Sequence, residues 1–382
     1  MRSLNEKLRN LKHVSGWRSS RRYLAFAVDD YGTIRTANAS ARDYLQKHVP
    51  SFGGQMDEFD AVETIQDLEA LFQVLSGYAD EVGKHPIFTA YCLAANPNLE
   101  RIRGEWLYSY ESLDQTYEKL ASRDPGSYSG IKELWRQGIS EGLIRPQCHG
   151  REHFCVPLFE LKLHQRAPDL VANLDVESVA GLSGSPELPG VGFTHAFGLQ
   201  NTDALPVQRR ILEDGFRMFE GVFGYPSKTF VPPALKLDRR HDEFIASQGV
   251  KAIDVPFVEK KRVSSALWWP RLNFLSVPKA GLPGRFVRSL SFEPCSGIKS
   301  DPVGQALREI EIAFNWQKPA IVSSHRVNYG GHIDAGNRRR GLSQLNDLIK
   351  RILSAWPDVR FVSMDTLVDL MDQPESLRPI GQ

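Results

Sequence analysis

"RYLAFAVDDYG", residues 22–32, decides how this chain is read. The apolar run from Tyr23 to Val28 has the length of a buried strand, and it ends abruptly in Asp29, Asp30 and Gly32. In parallel α/β architectures reactive groups collect where strands give way to loops, so an acid-loaded strand end points to that class. Asp-Asp-Tyr-Gly is also ordinary turn composition. The weight therefore falls on what the other strand ends carry.

Moving outward, Val62, Ile65, Leu68, Leu71, Phe72 and Leu75 recur at helical spacing, and "HPIFTAYCLAANP" (85–97) then supplies a second strand, completing a β-α-β unit. A helix from about Ile131 to Glu141 leads through "GLIRPQC" into "CHGREHF" (148–154), and "FCVPLFELKLHQ" (154–165) continues as helix. A helix is predicted from Leu205 to Phe223. Further strand signals lie in "KTFVPP" (228–233), "AIDVP" (252–256), "GRFVRSLSF" (284–292), "AIVSSH" (320–325) and "VRFVSM" (359–364). About eight strand signals alternate with helices, and no composition break marks a linker. The pattern predicts a single barrel-like α/β domain.

Composition narrows the function. The 382 residues include 47 Lys plus Arg against 46 Asp plus Glu, a balance that argues against a nucleic-acid partner. No stretch approaches the ~18 consecutive apolar residues of a membrane span, and the charged amino terminus is unlike a secretory signal. The four cysteines form no CxxC pair and no disulfide framework. A cytoplasmic protein is the expectation, with oligomeric state left open.

Three strand ends carry unusual polar groups: Asp29 and Asp30, then His149 and His153, then His325. Two imidazoles four residues apart fit one helical turn, and with one carboxylate they make the three-ligand set of catalytic zinc and non-haem iron sites. Asp30 is the candidate third ligand, Asp29 the candidate base and His325 the candidate acid. A structural site built from Cys148, His149, His153 and Cys155 is set aside, because adjacent side chains at a strand end diverge. Arg326, Asn328 and Tyr329 offer donors suited to a sugar hydroxyl or phosphate.

On these residues the chain resembles the polysaccharide deacetylases, the NodB-homology family of carbohydrate esterases (family 4-like). The family's Thr-Phe-Asp-Asp-Gly is similar to Ala27-Val28-Asp29-Asp30, with Tyr31 inserted before Gly32. Its His-Ser/Thr-x-x-His is similar to "HGREH", its Arg-Pro-Pro motif is partly present in "FVPPAL", and its Leu-x-His appears as Ser323-Ser324-His325. The resemblance implies a distorted (β/α) barrel of about seven to eight parallel strands with loop insertions. It implies one catalytic domain over 1–382, with a core at about 22–372 and residues 1–21 as an extension. It gives Asp29, Asp30, His149, His153 and His325 the roles already drawn from residue types.

Val231 stands where the family has an arginine that orients the base, Ser323 replaces a leucine of the acetyl pocket, and Asp254 is a candidate for the fourth motif. The expected function is metal-dependent removal of an acyl group, acetyl first, from an N-acylated sugar, with a small-molecule, lipid-linked or nucleotide-linked saccharide as substrate. Zinc is the first expectation for the metal, and iron, cobalt and manganese suit the same ligands. The alternatives are a C–N hydrolase acting on a non-sugar amide or imide, and a catalytically silent carbohydrate-binding protein.

Overall fold

A computed structural model describes residues 10–372 apart from 200, 263–267, 280 and 298–300. Nine parallel strands build the main sheet: β1 (Tyr23–Tyr31), β2 (Phe88–Cys92), β3 (Ile144–Cys148), β4 (Thr229–Phe230), β5 (Ala252–Asp254), β6 (Gly284–Phe286), β7 (Leu290–Ser291), β8 (Ala320–His325) and β9 (Arg360–Phe361). Their order is β6-β5-β4-β3-β2-β1-β8-β7, and β9 pairs with the first residues of β1. This is the consecutive order of a (β/α) barrel with one open seam, between β6 and β7. Only Val287, Arg288 and Ser289 join those two edge strands. An extended link of that length spans at most roughly 14 Å, so the sheet must curl until its edges nearly meet.

Helices fill the other connections except that between β5 and β6, which carries an antiparallel pair, Val258–Arg262 with Trp268–Leu272. The helix Ile65–Ser76 starts at a reciprocal Thr64–Asp67 cap and lies between β1 and β2; Ile131–Ser140 precedes β3, Leu205–Phe223 precedes β4, and Pro302–Asn315 precedes β8. "GRFVRSLSF", expected as one strand, is split at the seam into β6 and β7. Leu24, Phe26 and Val28 of β1 pack into the large cluster that contains the helices. Ala25 and Ala27 face the barrel interior with Tyr91, Val231, Phe286 and Ile321, where Met364 and Leu367 of the helix Met364–Met371 also pack. Small residues suit the narrow inner face of a barrel. Residues 15–17 are tied to the barrel by Lys318, whose Nζ donates to the carbonyls of Ser15, Gly16 and Trp17 at 2.7–2.8 Å. Among the described residues, no helix is long and apolar enough to cross a membrane.

Candidate active site

Period-two alternation sends Asp29 inward behind Ala25 and Ala27, and by the same rule Asp30 points out of the barrel. A bulge overrides that rule. The register between β1 and β2 shifts between Val28 and Tyr31, and Asp30 adopts a left-handed φ of 75°. Such a conformation costs a non-glycine residue of order 1–3 kcal/mol and recurs where function demands it. The turn is braced from behind: Gly32 N–H donates to Glu63 Oε2 at 3.0 Å, and Asn96 Nδ2 donates to Gly32 O at 2.8 Å.

At the end of β3, His149 and His153 lie in a loop ahead of the helix Val156–Gln165, not on a helical turn. Gly150, at φ 111°, supplies the left-handed step that brings the two imidazoles round to one side. Their ring centroids are 5.0 Å apart. Asp30 Oδ1 stands 3.4 Å from His149 Nε2 and 3.2 Å from His153 Nε2, and one ligand atom from each of the three residues fits within a 4.8 Å group. Asp30 Oδ1 and His149 Nε2 are buried without any hydrogen-bond partner. Buried polar groups are almost always satisfied, so this pair of orphans needs a partner, and a divalent cation is the one this donor set suits.

His149 Nδ1 lies 2.7 Å from the carbonyl of Val231, which places the proton there and leaves Nε2 as the lone-pair donor. The position that departs from the family's arginine thus serves through its backbone. Burial drives the His153 pKa down to about 4 against the pull of Asp30, so the ring is neutral as a ligand must be. Burial also raises the Asp30 pKa, but His153 and His149 outweigh it and hold the carboxyl well below its usual range. Cys148 and Cys155 are buried free thiols. Cys148 Sγ accepts from Gly150 N–H, a core role.

Asp29 sits opposite His325 in the β1–β8 register, and its Oδ2 is 4.0 Å from His325 Nε2. Two partners absent from the sequence reading hold this pair. Arg288, in the seam, donates from Nη2 to Asp29 Oδ1 at 2.7 Å, from Nε to Asp254 Oδ2 at 2.6 Å and from Nη1 to Ser323 Oγ at 2.9 Å. One guanidinium therefore joins β1, β5 and β8. Ser323, which departs from the family's leucine, meets this guanidinium through its hydroxyl. Burial pushes the Asp254 carboxyl up to about 6, even against the pull of Arg288.

The second partner is Glu293, whose Oε1 lies 2.7 Å from His325 Nδ1. Burial opposes a charged imidazolium, but Glu293, with Asp30 and Asp29 beyond it, outweighs burial and lifts the His325 pKa to about 9. Glu293 follows β7 by two residues, and the strand-end rule that picked out Asp29 would have found it. Arg288 left a fainter signal, a charge inside an apolar run.

Arg326, Asn328 and Tyr329, expected to donate to substrate, are placed behind the site with their polar groups engaged by the protein. Arg326 is 1% exposed, donates from Nε to Asp60 Oδ1 at 3.0 Å and from Nη1 to Glu63 Oε2 at 2.8 Å, and so underpins the turn at Gly32. Asn328 donates to Glu293 and accepts from Gln55 Nε2 at 3.0 Å. The Tyr329 hydroxyl meets Ser324 Oγ at 2.9 Å. The donors that looked available in sequence thus stabilise the groups that hold Asp30 and His325.

No family model and no curated protein matches this chain. Solved structures do, polysaccharide deacetylases among them. A Mycobacterium smegmatis protein described as a polysaccharide deacetylase matches at 11% identity, with 96% of each chain covered and a TM-score of 0.46. The peptidoglycan deacetylase PdaC of Bacillus subtilis matches at 12% identity over 94% of this chain and 95% of its own, with a TM-score of 0.33. A 4-alpha-glucanotransferase of Thermococcus litoralis matches at 8% identity over 91% of this chain and 40% of its own, with a TM-score of 0.45.

Proposed function

We propose that this protein is a metal-dependent hydrolase that removes an acyl group, acetyl first, from the nitrogen of an N-acylated sugar or saccharide precursor. The observation that carries the reading is a pair of orphaned ligand atoms, Asp30 Oδ1 and His149 Nε2, grouped with His153 beside two proton-transfer groups held by separate partners, Asp29 on Arg288 and His325 on Glu293. Asp30, His149 and His153 would hold a divalent cation, which when bound would supply Lewis-acid polarisation and a lowered pKa for water. Asp29, with Oδ1 fixed by Arg288, presents Oδ2 to take a proton from the attacking water. His325, charged and anchored through Nδ1, delivers a proton from Nε2 to the departing nitrogen. The 4.0 Å between those two atoms lets base and acid serve one carbonyl carbon in turn.

The reading is tested by screening N-acetylated sugars for acetate release with wild type and Asp29→Asn. Wild type is expected to release acetate, and the variant to fall by about 10²–10⁴-fold. Equal release by both proteins would remove Asp29 from the mechanism. Glu293→Gln gives a second expectation. The acid must be protonated, so activity declines as pH rises through the His325 pKa. Loss of the Glu293 charge drops that pKa towards the ordinary histidine value and moves the alkaline limb of kcat/KM down by about two pH units. An unmoved limb would detach Glu293 from His325.

A further inference from the structure

Beside His153 lies a cavity of about 230 Å³. An apolar cavity of about 150 Å³ holds benzene, so this one suits a single ring-sized group and not a chain of them. Its lining combines apolar side chains, Phe154, Val179, Leu182 and Phe193, with the charged pair Arg35 and Asp57.

Arg35 differs from the other arginines around the site. Arg288 and Arg326 each bond carboxylates at 2.6–3.0 Å. The Arg35 side chain is only 14% exposed, yet it comes no nearer than 3.6 Å to Asp57 Oδ1 and to Asp60 Oδ2. Those distances exceed a hydrogen bond. Asp60 is already taken by Arg326, leaving its Oδ2 without a partner. The Arg35 backbone is pinned, since its carbonyl accepts from Val179 N–H at 2.7 Å. A largely buried guanidinium with donors to spare, fixed in a ring-sized cavity next to a candidate metal ligand, is built to receive an oxyanion.

We propose that Arg35 selects substrates that carry an anionic oxygen group, a carboxylate or a phosphate, on the sugar whose N-acyl group is cleaved. The assignment rests on the hydrolase reading for where the scissile bond lies. Asp57 is the internal stand-in for that anion. It is carried on the short helix Gly54–Phe59, where its Oδ2 accepts from Gly53 N–H at 3.2 Å while its Oδ1 faces Arg35.

The test is calorimetric binding of N-acetylglucosamine, N-acetylglucosamine 6-phosphate and N-acetylmuramic acid to zinc-loaded Asp29→Asn protein, with Arg35→Gln, Arg35→Lys and Asp57→Asn added in turn. At least one of the two anionic sugars is expected to bind about ten- to hundred-fold tighter than the neutral one, and whichever does so tells carboxylate from phosphate. Arg35→Gln is expected to erase the preference, Arg35→Lys to keep part of it, and Asp57→Asn to enlarge it by removing the competitor. Equal affinity for all three sugars, or a preference that survives Arg35→Gln, overturns the assignment. Should Arg35→Gln not fold, Arg35→Lys and Asp57→Asn decide: no change in preference in either overturns it. Acetate release by the wild type is scored separately. Turnover without an anion preference removes only the role of Arg35, and a preference without turnover removes only the reaction.

Discussion

Arg288→Met is expected to cost about 3–5 kcal/mol of stability at pH 8 and about 10²–10⁴-fold in activity. The reason is the company the guanidinium keeps. Asp29 and Asp254 both turn towards it from inside the barrel mouth, and without it two largely buried carboxylates face each other unpaired. The pH dependence has a definite sign. Burial already raises Asp254 to about 6 with the arginine present, and removing the cation raises it further. A carboxyl whose folded pKa is raised favours the folded state below its unfolded pKa, and that advantage is lost as pH rises through the folded value. The Asp254 part of the penalty is therefore present at alkaline pH, shrinks as pH falls through the variant's raised value towards about 6, and is gone at pH 5. Denaturant unfolding of wild type and variant at pH 8 and pH 5 measures it, and an equal difference at both pH values would contradict the account. Arg288→Lys keeps the charge but loses the fork that bonds three groups at once, so it is expected to recover stability more than activity.

Asp30→Asn is expected to abolish metal binding while leaving the fold intact. Asparagine tolerates the left-handed backbone that Asp30 adopts at φ 75°, so the substitution removes the anionic ligand and leaves the bulge. Wild type is expected to hold about one zinc per chain and to gain about 2.7 kcal/mol when free zinc stands at 100 times its dissociation constant. The variant gains nothing and loses acetate release. Metal analysis after dialysis and melting with and without zinc read out both points. A variant that still retains zinc would show that His149 and His153 suffice, and Asp30 would lose its assignment. Serine at Val231 would be a poor control, because that residue serves His149 through its carbonyl and not its side chain.

What could be read from sequence follows from how far each signal reaches along the chain. The strand Tyr23–Tyr31 and the helix Leu205–Phe223 announce themselves by apolar runs and helical periodicity, which are local. Asp29, Asp30, His149, His153 and His325 were legible because a strand end is itself a local feature and parallel topology gathers such ends on one rim. The structure brings all five together. The means of gathering were not legible. Alternation along β1 sends Asp30 the wrong way, and only the bulge returns it. The helical turn expected for His149 and His153 is a loop shaped by Gly150. Arg288 and Arg326 show the limit most clearly. Arg326 stands beside a candidate acid and was read as a substrate contact, whereas it is buried against Asp60 and Glu63, more than 260 positions away. Arg288 lies in a stretch that reads as one continuous strand, and its partners lie 259 and 34 positions away. Nothing local to either residue specifies those pairings, because closure of the barrel creates them.

The seam between β6 and β7 also makes this site depend on chain length. Most barrels close with hydrogen bonds between backbones, which tolerate changes of side chain but not of register. Here the last gap is bridged by one side chain on a three-residue link, and that side chain also holds the candidate base. An insertion or deletion at Val287 to Ser289 could leave both flanking strands paired to β5 and β8 and still carry the guanidinium past its partners. Such a change would silence the chemistry without unfolding the barrel. In a lineage built on this arrangement, loss of activity would then be recorded as a gap in the chain while every acid and imidazole stayed in place.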